Sequence, residues 1–309
     1  FNAFGDDVDR LEYAFNLVEE VEVTSTGEVL IAETIFDDPE DTARVSRVTA
    51  ADRLIRVAGE GRTAVANGID ALEARLPPLR ALGVDADDNF YVIDARTDER
   101  DLFRSRRVLR VDATTGLLSI VAGDNEYVPQ PDDMGRFPDV EGLPPLDAFI
   151  SIGSSLLVDS QGRILVGDSG AVLRFDLAQN TTEIVAGTDR SQEPPSRGRR
   201  DVSGVGAPLR SVRFGRIDGL AFDPASEDFL YVADDFAGLV WRLDLTRDRA
   251  YVIAGKRRRF LDNIARIRVP DAPRDPFTRL GGPAAVVLAS GRVYIAETFA
   301  DSLRVLRPK

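Results

Sequence analysis

The sequence predicts an all-β chain, a β-propeller of five four-stranded blades. Three observations predict it. A Val-Ala-Gly segment, Val57-Ala58-Gly59, returns as Val121-Ala122-Gly123, Val185-Ala186-Gly187 and Ile253-Ala254-Gly255, its glycines 64, 64 and 68 residues apart. Between these segments three other short strands recur in fixed order. The runs are too short for helices and are bounded by Gly, Asp, Asn and Thr. A lone sheet of this kind has two apolar faces and cannot bury both, and radial stacking of blades solves that problem.

The first strand of each repeat is a short apolar run: Val21-Glu22-Val23, Leu82-Gly83-Val84-Asp85, Leu156-Leu157-Val158-Asp159, Leu220-Ala221-Phe222-Asp223 and Ala285-Val286-Val287-Leu288. Tight turns follow, such as Thr26-Gly27, Asp88-Asn89, Gln161-Gly162 and Ser290-Gly291. The second strand ends in an acid: Glu33, Asp94, Asp168, Asp234 and Glu297. The third carries an arginine, aligned as Arg47, Arg110, Arg174, Arg242 and Arg304. The fourth ends in Val-Ala-Gly. We read a single domain over 1–309, with blades at about 21–58, 82–122, 154–186, 217–254 and 284–307.

The last repeat stops after its third strand. Phe1, Asn2, Ala3, Phe4 and Gly5 sit where a Val-Ala-Gly strand would precede the first blade, and we expect them to close the ring. The alternatives are a sixth blade lost by truncation, since a chain starting at Phe1 is read as processed or truncated, and a strand donated by a neighbouring molecule.

The repeated "VAG", the "YVAD" strand at Tyr231–Asp234, the "V-x-R-V-D" strand at Val108–Asp112 and the "Pro-x-x-x-Val" before a first strand together resemble the NHL-repeat propellers, over about residues 15–307. The resemblance implies an antiparallel propeller whose innermost strand is the first of each repeat. It does not fix function, because relatives include ligand- and protein-binding domains, RNA-binding propellers and a zinc-dependent lyase.

Composition excludes much. The 309 residues contain no Cys and no His. Disulfides, thiolate nucleophiles, the Ser-His-Asp triad and His- or Cys-based zinc sites are therefore out, including the zinc chemistry of the lyase relative. The segment Gly167-Asp168-Ser169-Gly170 resembles a protease nucleophile segment but has no His to serve it. Carboxylates and amides remain as the main side-chain metal ligands, which favour Ca²⁺ or Mg²⁺; the expectation is no cofactor, with Ca²⁺ as the alternative. A formal charge of −13 argues against nucleic acid, and no apolar run is long enough for a membrane span. Of the 39 basic residues 37 are Arg, a bias suggesting a high-GC, bacterial coding sequence.

Alternating connections put the long ones, 60–81, 124–153, 188–216 and 256–283, on one face together with 34–43 and 95–106. Long loops on a rigid scaffold make this the expected interaction face. It holds the partner-binding candidates Arg197, Arg199, Arg200, Lys256, Arg257, Arg258 and Arg259, against the plain reading of a solvated basic surface. The metal candidates are Asp37, Asp38, Glu40 and Asp41; Asp85, Asp87, Asp88 and Asn89 resemble half a Ca²⁺ loop. The acids ending the second strands either ring one end of the channel around a cation or cap the following turns. Trp241 aligns with Leu109 and Leu173 as a core residue.

Residues 1–41 hold 13 acids and one base, a net of −12, while residues 256–309 hold 12 bases and 5 acids, a net of +7. The acidic start and basic end either help the ring close or meet between molecules. The expectation is a non-enzymatic scaffold, extracellular or at the cell surface with the periplasm as alternative. It would bind a protein or glycan partner and could serve as a subunit of a surface assembly. The competing reading is a carboxylate- or Ca²⁺-dependent hydrolase of the lactonase kind.

Overall fold

The computed structural model describes residues 7–9, 13–36, 41–94, 105–123, 139–187, 206–212, 214–255, 280, 283–297 and 302–306. Among these residues every regular element is a strand, apart from two short 3₁₀ turns at Pro145–Asp147 and Leu209–Ser211.

The strands form five small antiparallel sheets. The first orders β1 (Asp7–Asp9), β2 (Leu17–Val23), β3 (Val29–Ile35), β4 (Thr42–Val48) and β5 (Arg53–Gly59) as β1-β5-β4-β3-β2. Then β6 (Thr63–Ala64) and β8 (Ala74–Arg75) pair in parallel around β7 (Ile69–Asp70) in sequence. The second sheet orders β9 (Leu79–Val84), β10 (Phe90–Asp94), β11 (Arg107–Val111) and β12 (Leu117–Ala122) as β7-β12-β11-β10-β9. The third runs β13 (Ser155–Val158), β14 (Ile164–Gly167), β15 (Ala171–Asp176), β16 (Thr181–Gly187), and the fourth β17 (Ile217–Asp223), β18 (Ser226–Asp234), β19 (Leu239–Asp244), β20 (Arg249–Gly255). The fifth holds β21 (Pro283–Ala289), β22 (Arg292–Glu297) and β23 (Ser302–Leu306). The chain is a five-bladed β-propeller.

It divides into two compact units. One comprises Phe1–Pro131, Gly142–Leu165 and Phe175–Thr182; the other comprises Asp132–Glu141, Val166–Arg174 and Glu183–Lys309. In the first, Leu30, Ala32 and Val45 of the first sheet pack with Leu82, Val92 and Leu109 of the second. In the second, Tyr231, Ala233 and Val240 of the fourth sheet pack with Val286 and Ile295 of the fifth. Trp241 is in the core, edge-on to Phe214 at 5.8 Å between ring centroids.

The recurrence of Val-Ala-Gly has a steric cause. Gly59, Gly123, Gly187 and Gly255 have φ of +88°, +100°, +109° and +91°. A Cβ at these positions would lie 2.1, 2.1, 2.4 and 2.2 Å from the carbonyl oxygens of Ala43, Arg106, Gly170 and Gly238 on the third-strand side. Only glycine fits both the backbone angle and the close approach. The aspartates ending first and third strands act as turn caps. Asp112 Oδ1 accepts from the amides of Thr114 and Thr115 at 3.1 and 2.9 Å, and Asp159 Oδ1 from those of Gln161 and Arg163 at 3.0 and 2.9 Å.

Two of the four-stranded blades gain a further strand at their outer edge. The first and second sheets have five strands each, and the extra one lies outside the Val-Ala-Gly strand. Val8 is opposite Leu54, Ile69 opposite Leu118, and Ala207 bridges Ala250. Leu54, Leu118 and Ala250 are each the second residue of their strand. In the third sheet Gly142 N–H donates to the Thr182 carbonyl and Thr182 N–H to that of Leu143, both at 2.8 Å. The segment preceding each of these blades thus runs along its outer edge and satisfies backbone groups that an edge strand would leave open. Within the stretch 60–81, expected as a loop, Ile69–Asp70 is such a strand, while Thr63–Ala64 and Ala74–Arg75 pair with each other. Phe1–Gly5 lie outside the described residues; the residues next to them, Asp7–Asp9, pair with the first sheet's own fourth strand. Among the described residues the fifth sheet has three strands.

Candidate functional site

The acids ending the second strands are all buried and engaged by their neighbours. Glu33 accepts from the Tyr13 hydroxyl at 2.7 Å and the Asn16 amide at 3.2 Å, with Arg44 Nε at 3.6 Å. Arg44, also buried, donates to Ser46 Oγ at 2.8 Å and Glu60 Oε2 at 3.0 Å, and its guanidinium lies 4.8 Å from the centre of the Tyr13 ring. Burial and the bond to Glu33 push the Tyr13 phenol up. Asp94 accepts from the Arg107 amide at 3.0 Å, from Nε at 2.7 Å and from Nη2. Glu297 accepts from Arg304 Nε at 2.8 Å. Asp234 instead accepts from the Gly215 amide at 3.0 and 3.1 Å and caps the following turn through the Ala237 amide at 3.0 Å.

Two of the three arginines in these pairs were not singled out by sequence. Arg44 and Arg107 are the residues directly across the ladder from Glu33 and Asp94. Arg304 was aligned with Arg110 and Arg242, and the register corrects that. Arg110 and Arg242 stand opposite Tyr91 and Tyr231, whereas Arg304 stands opposite Ile295, one position on from Tyr294. One residue of offset moves a side chain to the other face of the sheet. Arg304 therefore meets Glu297, while Arg110 reaches Asp112 at 3.1 Å and Arg242 lies 4.0 Å from the centre of the Phe229 ring.

Of the remaining candidates, Asp37, Asp38, Glu40, Arg197, Arg199, Arg200, Lys256, Arg257, Arg258 and Arg259 lie outside the described residues, and Asp41 is exposed. The half Ca²⁺ loop is used otherwise. Asp85 accepts from the amides of Asp87 and Asn89 and from the Tyr91 hydroxyl, and Asp88 is bonded to Ser25. Burial and the neighbouring Asp85 charge push the Tyr91 phenol up to about 12. Among the described residues no three acids assemble as a metal cluster.

One cavity of about 310 Å³ lies in the first unit, where the ends of β2, β9 and β13 approach, lined by Glu22, Thr24, Ser25, Asp85 and Leu157 among others. One of its carboxylates is unusual. Burial, and then the charge of Glu20 two residues away, push Glu22 up to about 7; burial raises Glu20 as well. Glu22 is thus poised to exchange a proton near neutral pH. Nothing in the spacing of Val21-Glu22-Val23 marks this, because the shift comes from packing beside Gly83 and Val84 on a different strand.

No protein family matches the chain, and no curated protein sequence does. Among solved structures it is similar to a structural-genomics protein of unknown function from Bacteroides thetaiotaomicron, at 14% identity over 97% of this chain and 71% of that one, with a TM-score of 0.43. It is similar to an auxiliary nutrient binding protein from the same organism, at 12% identity over 94% and 69%, TM-score 0.48. It is also similar to a chain of a nidogen/laminin complex, at 11% identity over 90% and 71%, TM-score 0.49.

Proposed function

We propose that the chain is a non-enzymatic binding scaffold, an exported propeller of the NHL type that engages a protein or glycan partner through the face carrying its long inter-blade connections. One observation carries this reading. The carboxylates at the ends of the second strands, which a cation site or a catalytic channel would need, are engaged by Arg44, Arg107, Arg304 and backbone amides. A sequence without His or Cys supports it from the side of chemistry. The basic segments Arg197–Arg200 and Lys256–Arg259 are the recognition elements, suited to an acidic protein surface or an acidic glycan.

The test is a binding screen on immobilised acidic and neutral glycans and acidic proteins. Replacing both basic segments with serine is expected to abolish a retained ligand while leaving the melting temperature unchanged. Retention of the same ligand by the substituted protein overturns the assignment. The second reading, a lactonase-like hydrolase, is favoured by Glu22, whose raised carboxyl lines the cavity. Turnover of chromogenic lactones, with or without millimolar Ca²⁺, that disappears in Glu22→Gln would replace the scaffold reading with this one.

A further inference from the structure

The first strand of the first sheet departs from the repeat. Opposite the position three before the second-strand acid stand Glu22, Gly83, Ala221 and Val287 in the first, second, fourth and fifth sheets. Opposite the position one before it stand Glu20, Ala81, Gly219 and Ala285. Two carboxylates on one face of β2 thus occupy places where these other sheets have glycine or a small aliphatic side chain. Burial raises both of them, so holding them there costs the fold stability. A break in the repeat that costs stability marks a functional position.

Glu22 lines the cavity of about 310 Å³ at the ends of β2, β9 and β13, a volume at the small end of the range for small-molecule sites. The other polar side chains lining it are committed elsewhere. Asp85 Oδ1 accepts from the Asn89 amide at 3.0 Å, and Oδ2 from the Asn89 side chain and the Tyr91 hydroxyl, both at 2.9 Å. Ser25 gives its hydroxyl to Asp88, and Thr24 Oγ1 accepts from the Glu28 amide at 3.0 Å. Glu22 has the Val23 amide beside it and, among the described residues, no base paired with it. The rest of the wall is apolar, chiefly Val23, Val84, Leu157 and Val158. A hard cation such as Ca²⁺ asks for six to eight oxygens, which this wall does not offer. A cation with a hydrocarbon body suits both parts of it: the charge meets the carboxylate and the chain meets the valines and the leucine.

We propose that this cavity binds a small alkylammonium compound, its ammonium group on the Glu22 carboxylate and its hydrocarbon chain along Val84, Leu157 and Val158. All the lining residues belong to the first unit. The site is independent of the proposed protein or glycan partner, because none of its residues lies in the basic segments. It involves binding without turnover, which separates it from the lactonase reading.

Isothermal titration of the native chain with n-hexylamine at about pH 8 tests it. Saturable one-to-one binding is expected at about millimolar concentration or below, with 1-hexanol, of the same length but uncharged, at least about tenfold weaker. Affinity should grow about threefold per methylene from propylamine to hexylamine. It should also grow at least about tenfold from about pH 5.5 to about pH 8, because the amine stays charged while Glu22 gives up its proton at about 7. The other acids facing the site are Glu20 on the same strand and Asp85 beyond the end of β9; β13 contributes Leu157 and Val158. Glu22→Gln keeps the shape of the side chain, and is expected to weaken binding at least about tenfold and to flatten the pH dependence without lowering the melting temperature. No saturable binding of hexylamine up to about 10 mM overturns the proposal. So does hexanol that binds equally well, a chain-length series that stays flat, or a Glu22→Gln chain that binds like the native one. Displacement of hexylamine by about 1 mM Ca²⁺ would replace the proposal with a metal site.

Discussion

Ser25 donates its backbone N–H at 2.6 Å and its hydroxyl at 2.9 Å to the two carboxylate oxygens of Asp88, 63 residues further on. The bonds tie the first turn of the first sheet to the first turn of the second. Asp88 holds them from a left-handed backbone, φ +62°. Asp88→Gly loses the bonds but relaxes the backbone, whereas Asp88→Ala loses the bonds and keeps the strain. Glycine is therefore expected to be the milder change, by about 1 kcal/mol in urea denaturation. Equal costs would mean that the backbone at this turn carries no strain.

The Val-Ala-Gly glycines and the turn glycines separate in the same kind of experiment. Gly123 and Gly116 both have positive φ, but a Cβ on Gly123 meets the Arg106 carbonyl at 2.1 Å and a Cβ on Gly116 meets nothing within 4 Å. Gly116→Ala should cost about 1 kcal/mol, the backbone term alone, and Gly123→Ala several kcal/mol. Urea midpoints at constant slope are the measurement.

Arg107→Ala leaves Asp94 buried and without its guanidinium, and should destabilise by about 3–5 kcal/mol. Removing both charges in Asp94→Leu/Arg107→Met should cost less than the single change, because no buried charge is left behind. A double variant worse than Arg107→Ala would show that the pair contributes more than it costs to bury.

Glu22 gives a pH signature. Its carboxyl sits at about 7 in the folded chain against an ordinary value of 4.5. Between those values the unfolded chain has lost the proton and the folded chain keeps it, so this group makes stability fall as pH rises from about 4.5 to about 7. Glu22→Gln removes that part of the slope and should stabilise the protein at pH 7.5 by about 1–2 kcal/mol, after allowing for solvent screening. Melting curves at pH 5 and pH 7.5 should show a gain for the variant at the higher pH only.

What the sequence makes legible is what repeats. The Val-Ala-Gly strands, the acid-ended strands and the Asp-capped turns lie where their spacing puts them, since each is fixed by local sterics or a local hydrogen bond. The outer strands were hidden. Ile69–Asp70 and the bridge at Ala207 are two residues or fewer, too short to show a period, and they exist only because a neighbouring edge needs partners. The partners of the buried acids were hidden for another reason. Arg304 fits the arginine motif in sequence, but β23 pairs with β22 so that Arg304 stands opposite Ile295, and parity then decides which face it reaches. The proton-poised Glu22 depends on burial by a strand about sixty residues away, which no local pattern records.

The outer strands bear on how the chain is made. Asp7–Asp9, Ile69–Asp70, Gly142–Leu143 and Ala207 all precede, in the order of synthesis, the blades whose margins they complete. On the ribosome each of these four sheets can be sealed as soon as its Val-Ala-Gly strand emerges, with the sealing residues already outside the tunnel. In these four sheets the described outer margin does not wait for chain still to be translated, which shortens the interval in which a nascent blade could capture a stray strand.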